Sequence, residues 1–219
     1  MSQTNTDYLR LAAYEAIRTW DLSERQICED TKNTSDVTIV FLKKWLGYWM
    51  LARSNPLHLR EKLSLHLQQS TRPSLIAVQD ENLPNEIEKL SLELYERGAT
   101  KGRQTSLVSK FAFCLRPQIA VPYDKRARDG LMQKFGIKLE DHDYPAYFRS
   151  FSDFSEKTAN ELHRTGLLGE LEEKWEALMT RDLFRRRTAD KLLMLEGGFS
   201  SKSMEVAVEK YLSEQSPLS

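Results

Sequence analysis

SDVTIVFLKKWLGYWMLAR, Ser35 to Arg53, decides the fold class. Val37, Val40, Phe41, Trp45, Tyr48, Trp49 and Ala52 recur in it at the spacing of one helix face. Lys43 and Lys44 break the apolar run Val37–Ala52, which is shorter than the roughly 20 residues a membrane span needs. The stretch reads as a core helix at the centre of an all-α fold. Its aromatic residues then pack inward and do not form a platform for stacking bases.

Working toward the N-terminus, Asn33–Asp36 is a polar break. Before it, Ser23 and Gln26 stand at capping-box spacing and open a short helix through Cys28. Leu9, Ala12, Ala13 and Ile17 form the stripe of a first helix that Thr6 or Asp7 caps and that runs to Trp20. Toward the C-terminus, Asn55-Pro56 restarts the chain as a helix to Gln69, since Pro suits the first helical position. Thr71–Asn85 is the longest irregular stretch, with a four-residue candidate strand at Leu75–Val78.

A helix from Pro84 to Arg97 is closed by Gly98, and residues 103–116 and 124–136 form a helix pair closed by Gly136. Tyr144–Arg164 reads as two short helices around Ser152, followed by helices over Gly169–Met179, Arg181–Glu196 and Ser200–Ser213 and a frayed tail, Glu214–Ser219. The expected architecture is a compact multi-helix domain over residues 1–219, or two interlocked helical lobes with their boundary near 71–85.

Composition agrees. Apolar residues at 40% supply a core at this length, and only 9 Gly and 7 Pro among 219 residues argue against a loop-rich β fold or a disordered chain. The 32 basic and 32 acidic residues cancel, so a nucleic-acid surface would have to be local. Cys28 and Cys114 lie in amphipathic stretches without a CxxC pair, which reads as two buried free thiols in a reducing compartment. The first residues show no basic-then-apolar leader. The expectation is a cytoplasmic chain with no membrane partner.

One stretch carries a chemical signal: TSLVSKFAFCLRPQIAVPYDKRARDGL, Thr105 to Leu131. Between Arg97 and Lys134 stand nine basic residues (Arg97, Lys101, Arg103, Lys110, Arg116, Lys125, Arg126, Arg128 and Lys134) against Asp124 and Asp129, a local +7. Such a strip can contact phosphates and gain affinity by counterion release, or it can be a face balanced by acids elsewhere in the fold. Lys101, Arg103, Arg116, Lys125, Arg126 and Arg128 are the candidate nucleic-acid contacts.

Leu107, Val108, Phe111, Ala112 and Leu115 share one helix face. Lys110 points the other way, beside Ser106, Phe113 and Cys114, so it is either partly desolvated in a groove or a snorkelling surface lysine. A desolvated lysine amine is a nucleophile. Asp124 follows Pro122-Tyr123 and opens a helix-like run, the place of an N-cap. A carboxylate there can also stabilise developing positive charge. The loop from Pro117 to Tyr123 is long enough to fold back and bring Asp124 toward Lys110.

A helix bearing Ser-Lys-Phe, a Pro-containing loop and then Val-Pro-Tyr-Asp opening another helix resembles the core of 8-oxoguanine-glycosylase-like proteins, in the helix-hairpin-helix DNA glycosylase superfamily. The late segment RRRTADKLLMLEGG, Arg185 to Gly198, is similar to the closing helix of prokaryotic relatives. The resemblance implies a DNA glycosylase or lyase acting on a damaged or modified base. Lys110 would attack the sugar C1′ and Asp124 would assist, with DNA as partner and no cofactor or metal. The family hairpin reads Leu-Pro-Gly-(Val/Ile)-Gly, whereas this chain has Gly102-Arg103-Gln104-Thr105-Ser106-Leu107-Val108-Ser109, without the paired glycines whose amides approach a phosphate. The alternative is a non-catalytic helical module that binds nucleic acid or protein.

Other constellations are weaker. His58, His66, His142 and His163 lack metal-ligand spacing, and Glu140-Asp141-His142-Asp143 reads as a solvated loop before a cation site. No phosphate loop, dinucleotide glycine pattern or serine elbow occurs.

Overall fold

The computed structural model describes residues 3–215, and among them every regular element is helical. In chain order these are α1 (Gln3–Thr19), α2 (Arg25–Asn33), α3 (Ile39–Tyr48), α4 (Arg60–His66), α5 (Arg72–Ala77), α6 (Leu83–Glu96), α7 (Thr105–Leu115), α8 (Lys125–Phe135), α9 (Tyr144–Arg164), α10 (Leu167–Glu170), α11 (Glu172–Trp175), α12 (Arg181–Glu196) and α13 (Ser201–Gln215). The all-α expectation is met. The protein divides into two units. One comprises residues 1–25, 124–139 and 149–219, and the other residues 26–123 and 140–148. The stretch 71–85 lies inside the second unit.

Several helix boundaries differ from those expected, each for a local reason. Gln3 is already helical, so neither Thr6 nor Asp7 caps α1. Ser23 opens no new helix: its hydroxyl donates back to the Thr19 carbonyl at 3.2 Å, and a π turn, Trp20–Glu24, carries α1 into α2. α3 starts later, at Thr38, whose Oγ1 accepts from Phe41 N at 3.1 Å, and it stops before Met50, which has a positive φ of 56°. Leu42, Trp45 and Leu46 form its buried face, while Val40 is 81% exposed and does not belong to the stripe.

Leu75–Val78 is not a strand. Leu63, Leu67, Thr71 and Leu75 are buried four residues apart, so the helical side continues past Gln69 into α5. Pro73 has no N–H to give the preceding turn, and the chain passes through a π turn, Leu67–Thr71, just before it. α9 is one helix because Phe151, Phe154, Thr158 and Leu162 hold a single buried side, with Ser152 on the exposed one. Of the expected frayed tail, Glu214 and Gln215 are helical and residues 216–219 lie outside the described residues.

In the first unit α12 packs against both α8 and α1, and α1 also meets α13. α8 and the end of α12 touch backbone to backbone: a Cβ on Gly130 would overlap the Leu193 carbonyl, and one on Gly197 would overlap the Arg126 carbonyl. In the second unit α7 packs against α5 and α6. Every residue from Leu107 to Leu115 is buried, so α7 is enclosed on all sides.

Candidate functional site

Lys110 sits in the middle of α7 with only 6% of its surface exposed. It is therefore not a snorkelling surface lysine. Its Nζ lies 5.6 Å from the centroid of the Trp49 ring, within cation–π range. Trp49 is itself held edge-on by Tyr48 (5.0 Å) and Phe113 (6.1 Å), and Trp45 packs edge-on against Phe111 (5.6 Å). Of the four aromatics expected in the core only Trp45 is fully buried; Phe41, Tyr48 and Trp49 are half-buried, and Trp49 at the end of α3 stands beside Lys110.

The loop after α7 is held by hydroxyl groups in the same unit. Ser109 Oγ accepts from Tyr123 N at 2.8 Å. Tyr144 Oη donates to Val121 O at 2.7 Å and accepts from Val121 N at 3.1 Å, while Tyr147 Oη donates to Pro122 O at 3.1 Å. All three groups are buried, so Val121 N and O, Pro122 O and Tyr123 N are satisfied without water. Sequence reasoning missed Tyr144 and Tyr147. Their only signal is two phenols three residues apart at the head of α9, and that spacing serves packing equally well.

Asp124 belongs to the first unit, Lys110 to the second. Asp124 is the N-cap of α8, with an extended backbone (φ −118°, ψ 140°) and Oδ1 accepting from Arg126 N at 2.9 Å, as its position after Pro-Tyr suggested.

The basic run also divides, with Arg97, Lys101, Arg103, Lys110 and Arg116 in the second unit and the other four in the first. Several of its members already have acidic or carbonyl partners. Arg103 pairs with Glu88 at 2.7 Å and donates to Ser91 Oγ at 3.1 Å. Arg116 donates to the Leu75 and Val78 carbonyls (3.1 and 2.7 Å) and pairs with Asp80, which ties down the end of α5. Arg128 is largely buried beside Asp129, and Lys134 pairs with Glu196 at 3.2 Å. Lys101, Lys125 and Arg126 remain exposed; Arg126 lies 4.9 Å from the Phe199 ring, and Lys125 pairs with Asp129 at 2.9 Å with most of its side chain in solvent. These three are the cations of the set best placed to meet phosphate.

No family model, curated protein or solved structure matches this chain. What the site can do rests on its own chemistry and on the motif resemblance.

α12 holds a group that sequence reasoning passed over. Arg187, Asp190 and Lys191 are buried together with Glu24. Arg187 pairs with Glu24 and, at 3.0 Å, with Asp190; Lys191 Nζ lies 3.3 Å from Glu24 Oε1. Burial pushes the Glu24 carboxyl up, but Arg187 and Lys191 outweigh it and leave Glu24 below its ordinary value. For Asp190 burial prevails: its carboxyl is raised despite Arg187 and Lys191, with the charges of Asp124 and Glu24 adding to the rise. In sequence these residues look like ordinary helical charge pairs, so only packing reveals that they are internal.

The turn Glu140–Asp143 is a helix entry: Asp143 Oδ1 accepts from Ala146 N at 2.9 Å, and His142 Nδ1 lies 3.1 Å from Thr105 Oγ1. Among the described residues no three His, Cys, Asp or Glu side chains are grouped to hold a metal ion, and no helix is long and apolar enough to cross a membrane. Cys28 and Cys114 are both buried and neither is in a disulfide, as expected.

Proposed function

We propose that this chain is a DNA glycosylase-like protein acting on a damaged or modified base, with Lys110 as nucleophile and Asp124 assisting. The observation that carries the reading is the burial of Lys110 inside α7 against the Trp49 ring. Burial is the setting in which lysines serve as Schiff-base nucleophiles. The Ser-Lys-Phe and Val-Pro-Tyr-Asp motifs add the role of Asp124.

In the proposed reaction the Lys110 amine attacks the sugar C1′, forming a C–N bond as the glycosidic bond breaks. The base leaves with the bonding pair and takes up a proton. The amine loses its proton, the sugar ring opens, and a Schiff base results. The target base must first leave the stack, because C1′ chemistry is closed to side chains in an intact duplex.

Borohydride should trap a covalent protein–DNA species on duplexes carrying single base lesions or an abasic site. Lys110→Gln should abolish trapping, and Asp124→Asn should slow it by at least tenfold while leaving the fold intact. Absence of both trapping and base release across a panel of oxidised, deaminated and alkylated bases would overturn the proposal.

A second reading, non-catalytic nucleic-acid binding, is favoured by the exposure of Lys125 and Arg126 in the first turn of α8. It predicts salt-sensitive DNA binding weakened by Lys125→Glu/Arg126→Glu and unaffected by Lys110→Gln.

A further inference from the structure

The first unit contains a cleft of about 320 Å³ that none of Lys110, Asp124, Glu24 and Arg187 lines. Leu9, Phe154 and Leu192 are buried in its wall, Phe135 lies edge-on to Phe154 at 6.2 Å, and Lys134 and Lys157 stand among its lining residues. The cleft is at the small end of the 300–1,000 Å³ typical of sites for organic ligands, and an apolar interior with a few polar groups is their usual make-up.

The polar groups are not equivalent. Glu161 is engaged by Arg164 at 2.7 Å, and Lys134 by Glu196 at 3.2 Å. The Thr158 and Thr165 hydroxyls donate to the Phe154 and Glu161 carbonyls. Lys157 makes no ion pair among the described residues. Its Nζ is 4.4 Å from the Phe135 ring centroid, so the ring holds the ammonium beside the apolar cavity. An apolar chamber next to an ammonium without a carboxylate partner complements a molecule with an apolar body and one anionic head. A cationic amphiphile would meet like charge, and a neutral one would leave Lys157 uncompensated.

We propose that this cleft binds a small amphipathic carboxylate, with the hydrocarbon portion against Leu9, Phe135, Phe154 and Leu192 and the carboxylate on Lys157. Occupancy requires no bond making and is independent of the glycosylase reading.

Isothermal titration with octanoate, 1-octanol and octylammonium tests it directly on the full-length protein. Octanoate should bind with Kd below about 1 mM, 1-octanol at least tenfold more weakly, and octylammonium without measurable heat. Amide shift changes on adding octanoate should centre on Phe135, Phe154 and Lys157. Lys157 is exposed, so Lys157→Glu should fold normally and weaken octanoate at least tenfold; Lys157→Met should bring octanoate and 1-octanol to similar affinities. The proposal is overturned if octanoate fails to bind at 10-fold above that concentration, if octylammonium or 1-octanol matches it on the native protein, or if Lys157→Glu binds octanoate unchanged.

Discussion

In α7 a lysine is buried against the face of an indole; in α12 an arginine and a lysine are buried between carboxylates. The two arrangements differ in their contacts. A ring face attracts a cation by about 0.5–2 kcal/mol. Buried carboxylates hold their cations firmly, and removing one leaves an uncompensated charge in a medium that cannot solvate it. Arg187 and Lys191 are therefore part of the architecture of α12, whereas Lys110 is enclosed beside an aromatic wall, although all three are lysines or arginines enclosed in helices.

Substitutions at four positions sharpen or break that contrast. Glu24→Gln should cost the most, about 3–5 kcal/mol in urea unfolding, because it strips Arg187 and Lys191 of a buried counter-charge. The folded Glu24 carboxyl lies below its ordinary 4.5, so its contribution is present above pH 4.5 and is lost as pH falls through the lower folded value. A loss under 1 kcal/mol would mean that water reaches the cluster.

Asp124→Ala should cost about 1 kcal/mol through the lost cap on α8, and Asp124→Asn only a few tenths. Reduced borohydride trapping by Asp124→Asn, with its unfolding midpoint unmoved, separates the chemical role from the capping one.

Asp190→Asn should cost less than Glu24→Gln, because Asp190 pairs with Arg187 alone whereas Glu24 faces both Arg187 and Lys191. The folded Asp190 holds its proton above the ordinary 3.8, so its contribution is present below pH 3.8 and is lost as pH rises toward the folded value. Asparagine mimics the protonated form, and the variant should show a flatter stability profile above pH 3.8. A cost as large as that of Glu24→Gln would overturn that ranking.

Lys110→Met keeps a side chain of similar length beside Trp49 and should fold, with borohydride trapping lost. Loss of several kcal/mol would make Lys110 a structural residue and remove the basis for its catalytic role.

The helical class was legible from the Ser35–Arg53 periodicity, and so were the ends that rest on one residue's stereochemistry, such as Gly98 and Gly136 with φ of 64° and 62°. The cap role of Asp124 was legible for the same reason: it depends on a side chain and an amide two residues away. The Ser23 reading failed because a capping pattern competes with helix continuation, and the burial of Trp20 and Glu24 decided in favour of the π turn. The basic strip looked like one surface because charge was counted along the chain, whereas Glu88, Asp80 and Glu196 approach from distant positions. The Glu24–Arg187–Asp190–Lys191 group was invisible because i, i+3 and i, i+4 charges look the same in solvent and in a core.

Gly130 and Gly197 let α8 rest directly on the terminal turn of α12. With no side chain between the two main chains, α8 can neither slide nor roll without a collision of carbonyl oxygens. The orientation of Asp124 at its head is thereby anchored from nearly two turns further along the helix. Divergence can rewrite the solvent-facing charges of α8 freely, yet any methyl group at either glycine would tilt the whole element, so these two positions are the ones to align first when distant kin are sought.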